Sequence, residues 1–498
     1  MTERTRNEPL SLDPDFAAGV KSVLDAANYD EEHIRAHLTG DSEGVPFSSE
    51  TFPRMLRATS NGSTLETFLR LLAFSVPVSA AELAAAIVPM NIDSWVRGGI
   101  VRIDGDSVIP RVCISPELGL RLAFDVIRPG EARPDDFVMG IAKSSMVLVN
   151  CAVTRPVGRL LDLGTGCGGT ALVQARRAES VVATDLSERA VGFARFNVLL
   201  NDVSNVECRA GSLLEPVAGD TFDHITMNAP YAITPTKRFT YRDGGEELVQ
   251  EMLSQGAGAL NPGGLLQVVC QWAHVDGQSP TERLAGWVKG LGCDGWVIRT
   301  ASLKTAGYAE SWINGTENHD AASYRKRFDE WVDWFEAEGI TGVSTGIINL
   351  RKTTSGRDGW FEVSQEDVTI DAEAGSAIEA GLLARDLFAA AAANSKLIED
   401  HAFLVADGVK LEQVLQSDGD AWAPETVRLL TTRGICGSVN VDARVAHLVA
   451  RSNGQRTFGS LIAEVAASLG RDPRDLTGPL TVVARLLATR GILRLNSP

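Results

Sequence analysis

The chain has 498 residues, 44% hydrophobic and 22% charged, a globular balance that excludes wholesale disorder and a fibrous repeat. Its formal net charge of −17 disfavours a phosphate backbone as partner unless basic residues are concentrated on one face. The start is polar, no long apolar run is present and the 7 cysteines form no CxxC pair, so we expect a cytoplasmic chain with no signal peptide, membrane span, disulfide framework or metal site.

Residues 13–87 show helical periodicity, and Ser63 with Glu66 and Ser79 with Glu82 read as capping boxes that open apolar helices. A short helix ends at Arg97-Gly98-Gly99, and β-rich stretches follow over 100–103 and 108–114. Helices followed by a hairpin suggest a winged-helix-like domain over 1–135. His33 and His37 have metal-ligand spacing, but no third ligand is evident, which favours a solvated helix face.

From about 140 to 352 short apolar runs alternate with helical stretches. Strands are expected over 159–163, 181–185, 206–209, 224–227, 265–270 and 346–350, which predicts an α/β domain with a parallel, doubly wound sheet over 136–355. Asn261-Pro262-Gly263-Gly264 reads as a turn before one strand. Residues 356–378 read as a linker with one strand near 360–363. Beyond it RLLTTRGI (428–435) returns as RLLATRGI (485–492), which suggests an internal repeat and two tandem winged-helix-like lobes over 379–498.

The most informative segment is Arg159-Leu160-Leu161-Asp162-Leu163-Gly164-Thr165-Gly166-Cys167-Gly168, an apolar strand that enters a glycine turn and then a helix. Glycines let backbone approach a ligand closely, and the following helix offers unpaired N–H groups. Asp185 closes the next apolar strand, where a carboxylate accepts from ribose hydroxyls. There is no GxxxxGK[ST] phosphate loop, so a nucleotide triphosphatase lacks its lysine.

This segment resembles the first motif of the class I S-adenosylmethionine-dependent methyltransferases, an acidic residue followed by xGxGxG. The resemblance implies S-adenosyl-L-methionine as cofactor, with S-adenosyl-L-homocysteine as product. It places Asp162 and the Gly164, Thr165, Gly166 and Gly168 backbone on the methionine and ribose part, Asp185 on the ribose hydroxyls and Ser212 at the adenine amino group, where the family usually has Asp, and it counts Leu186 and Asn228 among the cofactor-binding residues. It also implies a Rossmann-like seven-stranded sheet, here flanked by mainly helical winged-helix-like N- and C-terminal domains.

Asn228-Ala229-Pro230-Tyr231 follows the apolar strand 222–227 and resembles the Asn-Pro-Pro-Tyr motif of methyltransferases that alkylate planar nitrogens, including release-factor glutamines and adenine amines. A nitrogen acceptor must aim its lone pair along the methyl–sulfur axis, so positioning is most of the task. The Asn228 side-chain oxygen and the Pro230 carbonyl accept the acceptor's N–H hydrogens, and the Tyr231 ring limits its motion. Ala229 in place of proline removes a φ constraint, which implies a looser loop.

Downstream, Arg242 and Asp243 read as a pair that either orients substrate or is a solvated surface bridge. Between the expected sixth and seventh strands, residues 301–340 form an insertion. Within it Tyr324, Phe328, Trp331 and Phe335 share a helix face, as a lid or as a helix packed on the sheet. His224 reads as a hydrogen-bonded core residue. The expected reaction is N-methylation of a protein or peptide amine, the N-terminal amine of a ribosomally made peptide being one such acceptor. The rivals are a nucleic-acid base methyltransferase, a small-molecule N-methyltransferase and a donor-binding regulator.

Overall fold

The computed structural model describes residues 9–39, 51–126, 133–316, 321–354, 359–364, 366–392, 394–417 and 419–496. It divides into two units, one of residues 1–148, 156–297 and 302–363, the other of residues 149–155, 298–301 and 364–498. Among the described residues no helix is long and apolar enough to cross a membrane.

The first unit opens with helices α1 (Pro14–Ala26), α2 (Glu31–Thr39), α3 (Phe52–Ala58) and α4 (Thr64–Phe68), the last running into a π-helical turn over Leu69–Ala73. Strand β1 (Val78–Ser79), helices α5 (Ala80–Ala86) and α6 (Ile92–Arg97), and strands β2 (Val101–Asp104) and β3 (Ser107–Pro110) follow, with sheet order β1-β3-β2. Both expected capping boxes form, Ser63 with Glu66 and Ser79 with Glu82, each satisfying two helix-end N–H groups reciprocally. His33 and His37 do not converge: His33 pairs with Asp30 at 2.9 Å and His37 with Glu66 at 3.1 Å.

A second hairpin, β4 (Val112–Glu117) with β5 (Leu120–Asp125), is a two-stranded sheet of its own, and residues 1–148 share one unit with the main sheet, so no unit boundary falls at the expected residue 135. The physical reason lies in helix α9 (Glu188–Leu200) and its C-cap. Asn197 accepts the Ala123 N–H at 2.7 Å and donates to the Ala123 carbonyl at 2.9 Å. Asn201 does the same to Arg121, both bonds at 2.8 Å. Four helical residues rise about 6 Å and two strand residues about 6.7 Å, so amides four apart on a helix match alternate residues of a strand. Replacing Asn197, which is wholly buried, by Leu strands the Ala123 N–H and carbonyl, and we expect a loss of about 2–4 kcal/mol in denaturant unfolding.

Helix α7 (Lys143–Cys151) precedes the main sheet. In chain order come β6 (Val157–Leu163), α8 (Gly169–Gln174), β7 (Ala178–Asp185), α9, β8 (Val206–Ala210), β9 (Phe222–Asn228), α10 (Gly245–Gly258), β10 (Leu260–Val275) and α11 (Pro280–Val288). After these come β11 (Cys293–Lys304), α12 (Thr305–Thr316), α13 (Ala321–Ala337), β12 (Ile340–Lys352) and β13 (Phe361–Val363). The sheet order is β13-β11-β12-β10-β9-β6-β7-β8, parallel from β8 to β10 with β12 antiparallel to β10. It therefore has eight strands rather than seven, because β13 joins β11 at one edge. The turn expected at 261–264 is an irregularity inside β10, where the register to β9 shifts between Leu260 and Leu265.

The chain leaves β6 toward β7 and β8, then returns to the other side of β6 with β9 and β10. This reversal opens a crevice at the carboxyl ends of β6, β7 and β9, the place where open α/β sheets bind ligands. Beneath it a buried polar row crosses the sheet: His224 meets Gln267 at 2.9 Å, Gln267 donates to Asn349 at 2.8 Å, and Asn349 donates to the Trp296 carbonyl at 3.0 Å. His224 is thus a satisfied core residue.

The second unit contains β14 (Thr369–Ile370), α14 (Ala374–Ala391), α15 (Lys396–Glu399), β15 (Phe403–Val405), β16 (Val409–Ser417), β17 (Trp422–Thr431), β18 (Ile435–Cys436) and β19 (Ser438–Asn440). Helices α16 (Ala443–Ala450), α17 (Phe458–Leu469) and α18 (Pro473–Thr489) and strand β20 (Leu493–Leu495) complete it. The linker expected over 356–378 is partly structured: it holds β13, β14 and the start of α14, while residues 355–358 and 365 lie outside the described residues.

The expected tandem lobes are corrected too. Phe388, Phe403, Leu429, Leu448, Phe458, Leu461, Leu487 and Ile492 share a single core. Within it Arg428–Thr431 ends strand β17, whereas Arg485–Thr489 ends helix α18. The two octapeptides differ only in Thr431 against Ala488, but their flanks differ in kind. Thr426 and Val427 lead into the first and pair with β16, while helix-forming Ala484 precedes the second and is buried on the helix face. Tertiary partners, not the shared eight residues, decide the outcome.

Candidate active site

Strand β6 ends in the glycine turn, and the turn needs glycine at three places, for two different reasons. Gly164, Gly166 and Gly168 all have φ between 57° and 83°, the left-handed region. A Cβ on Gly166 meets nothing within 4 Å, so this backbone faces open space. A Cβ on Gly168 would lie 3.0 Å from that of Ala194, so this glycine lets α8 approach α9.

One cavity of about 1260 Å³ lies over these strand ends. It is lined by Asp162, Gly164, Thr165 and Gly166 from β6 and its turn, by Asp185 and Leu186 after β7, by Ser212 after β8, and by Asn228, Pro230 and Tyr231 after β9. The sequence-derived site residues thus meet in one place, with the exception of Gly168, whose job is helix packing.

Asp162 is 2% exposed and accepts from the Thr165 hydroxyl at 2.7 Å and the Thr226 hydroxyl at 3.0 Å. Burial pushes its carboxyl up to about 6 and Asp185 adds to the rise, while the two hydroxyls work against it. Asp185 accepts the Gly166 N–H at 2.9 Å and the Ser187 N–H at 2.8 Å, which ties β7 to the glycine turn. Burial raises this carboxyl as well, against those two backbone bonds. Leu186 beside it is 69% exposed, a bare apolar side chain at the cavity wall.

On the other side of the cavity Asn228 donates its amide hydrogens to the Ser144 and Ser145 hydroxyls, both at 3.0 Å. Its oxygen Oδ1 is buried and accepts no bond. A buried acceptor without a partner costs free energy unless a ligand supplies the donor. Nothing in the pattern Lys143-Ser144-Ser145 marks these serines in the sequence, because they reach Asn228 only through the fold.

The Asn-Ala-Pro-Tyr turn is tighter than the missing proline suggests. The Ala229 N–H donates to the Val269 carbonyl at 3.3 Å, a bond that proline lacks the hydrogen to make, so the loop is tied to β10 rather than loosened. Tyr231 N–H closes back on the Ala229 carbonyl at 2.9 Å across Pro230, whose fixed φ suits so narrow a turn. The Pro230 carbonyl already accepts the Gly244 N–H, which leaves it one lone pair for a substrate. Burial pushes the Tyr231 phenol up, with a hydrogen bond to Ser144 working against it, and the ring meets Trp312 edge-on at 6.5 Å.

Arg242 and Asp243 are a buried ion pair, not a surface one, with side chains 0% and 1% exposed. Asp243 also accepts the Arg238 and Phe239 N–H groups, both at 2.9 Å, and the Arg242 guanidinium lies 4.4 Å from the Phe239 ring centroid and 5.7 Å from that of Trp312. The pair clamps the turn from behind: the Ala232 N–H donates to the Arg242 carbonyl at 2.7 Å.

The aromatic insertion divides its labour. Helix α12 lines the cavity with Tyr308, Ser311, Trp312 and Gly315. Trp331 and Phe335 of α13 are buried behind it, against Tyr308, Ile313 and Val343, so the aromatic helix is packing and its neighbour is the wall. Tyr308 donates to Gln271 at 2.6 Å and receives the Ile233 N–H at 2.9 Å, which fixes that wall to β10. Residues 317–320, between the two helices, lie outside the described residues.

The family model described as "Methyltransferase small domain" matches residues 139–283. Two models described as domains of unknown function, DUF7059 and DUF7782, match 26–111 and 380–495. Among curated relatives, the release factor glutamine methyltransferase of Deinococcus radiodurans is 34% identical over 226 residues, 41% of this chain and 70% of that protein. That of Xylella fastidiosa is 35% identical over 129 residues, 23% of this chain and 47% of the relative. That of Aliivibrio fischeri is 43% identical over 75 residues, 14% of this chain and 26% of the relative. The chain thus spans less than half the length of the latter two.

Proposed function

We propose a reaction for this chain, which belongs to the class I S-adenosylmethionine-dependent methyltransferases. It is a methyltransferase and its cofactor is S-adenosyl-L-methionine. When bound, that cofactor supplies a methyl group on a positively charged sulfur. The residues fit it: Gly166 leaves the space a Cβ would take, Asp185 retains lone pairs for ribose hydroxyls, exposed Leu186 offers an apolar face to a flat base, and Ser212 lines the same cavity.

Our reading of the reaction is N-methylation of a protein or peptide. Its main support is the partnerless Asn228 Oδ1, a buried acceptor that suits the N–H of a nitrogen nucleophile. That bond strengthens as the nitrogen gains positive charge, so it favours the transition state over the ground state. Tyr231 and Trp312 wall the acceptor, and the second lone pair of the Pro230 carbonyl is available to a second N–H. The glutamine acceptors named for the relatives support a protein substrate, and the net charge of −17 favours a cationic or neutral amine over a phosphate chain, the N-terminal amine of a peptide included.

One observation favours a nucleic-acid base instead. We read the N-terminal helix–strand–helix–helix–strand–strand order with sheet order β1-β3-β2 as winged-helix-like, and winged helices often contact DNA. Labelled donor incubated with peptides, small amines, tRNA, rRNA and DNA separates the readings. Label on peptide is expected, and label on nucleic acid alone would reject the protein reading.

Asp162 makes donor binding depend on pH. Its folded pKa, about 6, lies above the ordinary 3.8, so between these values the native state holds a proton that the unfolded state has released. Stability from this group therefore falls as pH rises through that window, and the carboxylate is charged only above it. A cationic donor prefers the charged form, so calorimetry should find its affinity weakening as pH drops through about 6. A flat profile from pH 5 to 8 would remove Asp162 from the donor site.

A further inference from the structure

The Asn228 amide can face the cavity in two ways, with opposite chemistry. With oxygen inward it accepts an N–H, and with nitrogen inward it presents two N–H groups to an acceptor that also carries N–H, which repels it. The protein resolves the choice from behind. Both amide hydrogens find hydroxyl acceptors, Ser144 and Ser145, each at 3.0 Å, so the donor capacity of the amide is used in full. Both serines belong to the first turn of α7, and both line the cavity. Turning the amide over would let its oxygen accept from the serine hydroxyls but would orphan both N–H groups, two donors lost for one acceptor gained.

We propose that Ser144 and Ser145 are positioning residues for methyl transfer, which hold Asn228 with its oxygen toward the acceptor nitrogen. This rests on the reading of Asn228 given above. The serines touch neither reacting atom and act through the asparagine, while Ser144 also hydrogen-bonds the Tyr231 phenol.

The test needs no knowledge of the natural acceptor. Sinefungin is a donor analogue in which an amine-bearing carbon replaces the methyl-bearing sulfur, so it offers N–H groups where the methyl would be, whereas S-adenosylhomocysteine offers none. In calorimetry the wild type should bind sinefungin about tenfold or more tightly than S-adenosylhomocysteine. The pair Ser144→Thr with Ser145→Thr keeps the hydroxyls and should keep this preference. The near-isosteric pair Ser144→Val with Ser145→Val should lose it, the ratio of the two affinities within that variant falling to about one. Should the valines unfold the chain, Ser144→Ala with Ser145→Ala removes the hydroxyls without added bulk and must do the same. A preference that survives loss of both hydroxyls but not Asn228→Ala overturns the serine inference alone. A preference absent from the wild type, or one that survives Asn228→Ala, overturns the reading beneath it.

Discussion

Asn228→Ala is expected to lower methyl transfer by about 100-fold or more while donor affinity changes by no more than a few-fold. Loss of one preorganised polar group aimed at developing charge costs about that much in other enzymes. The asymmetry follows from the placement of Asn228. Its oxygen is the buried acceptor opposite the glycine turn, while the groups that fit the donor are Gly166, Asp185, Leu186 and Ser212, from other strand ends. Single-turnover rates with labelled donor and the acceptor found by the labelling experiment read the first quantity, and calorimetry reads the second. Turnover within threefold of wild type would remove Asn228 from the chemistry, whatever the donor affinity.

Arg242→Ala should be the most destabilising of the substitutions considered, by about 3–5 kcal/mol, because it abandons a buried carboxylate without its cation. Asp243 would keep only the Arg238 and Phe239 N–H bonds, and Phe239 and Trp312 would lose the guanidinium packed against them. The damage reaches the turn, since the segment that carries Arg242 receives the Ala232 N–H and contributes the Gly244 N–H to Pro230. The denaturant midpoint and turnover should therefore fall together. A shift worth under 1 kcal/mol would mean that the pair is solvated after all.

How much of this was legible in the sequence depended on whether a feature is made by neighbours in the chain or in space. The capping boxes at Ser63 and Ser79 are local reciprocal bonds, and they formed as read. The glycine turn, Asp185 and Asn228 are strand ends, and a parallel sheet brings its strand ends to one edge, so reading the strands was nearly enough to assemble the cavity. Gly168 looked equivalent to Gly166 because both need positive φ, and only the proximity of Ala194 separates their roles. Ser144 and Ser145 carried no signal, since their partner is 83 or more positions away. The repeated octapeptide misled for the converse reason: local identity was present, but β16 claimed one copy and a helix face the other.

The paired amides of Asn197 and Asn201 bear on any attempt to cut the molecule into parts. They treat the backbone of Ala123 and Arg121 as one more rung of their own lattice, yet the segment matched to methyltransferases begins only at residue 139. A fragment trimmed to that match would keep both asparagines and discard what they grip, and would strip the cover from α9. The catalytic half is thus no free-standing engine with an accessory bolted on; its upstream residues are part of its wall.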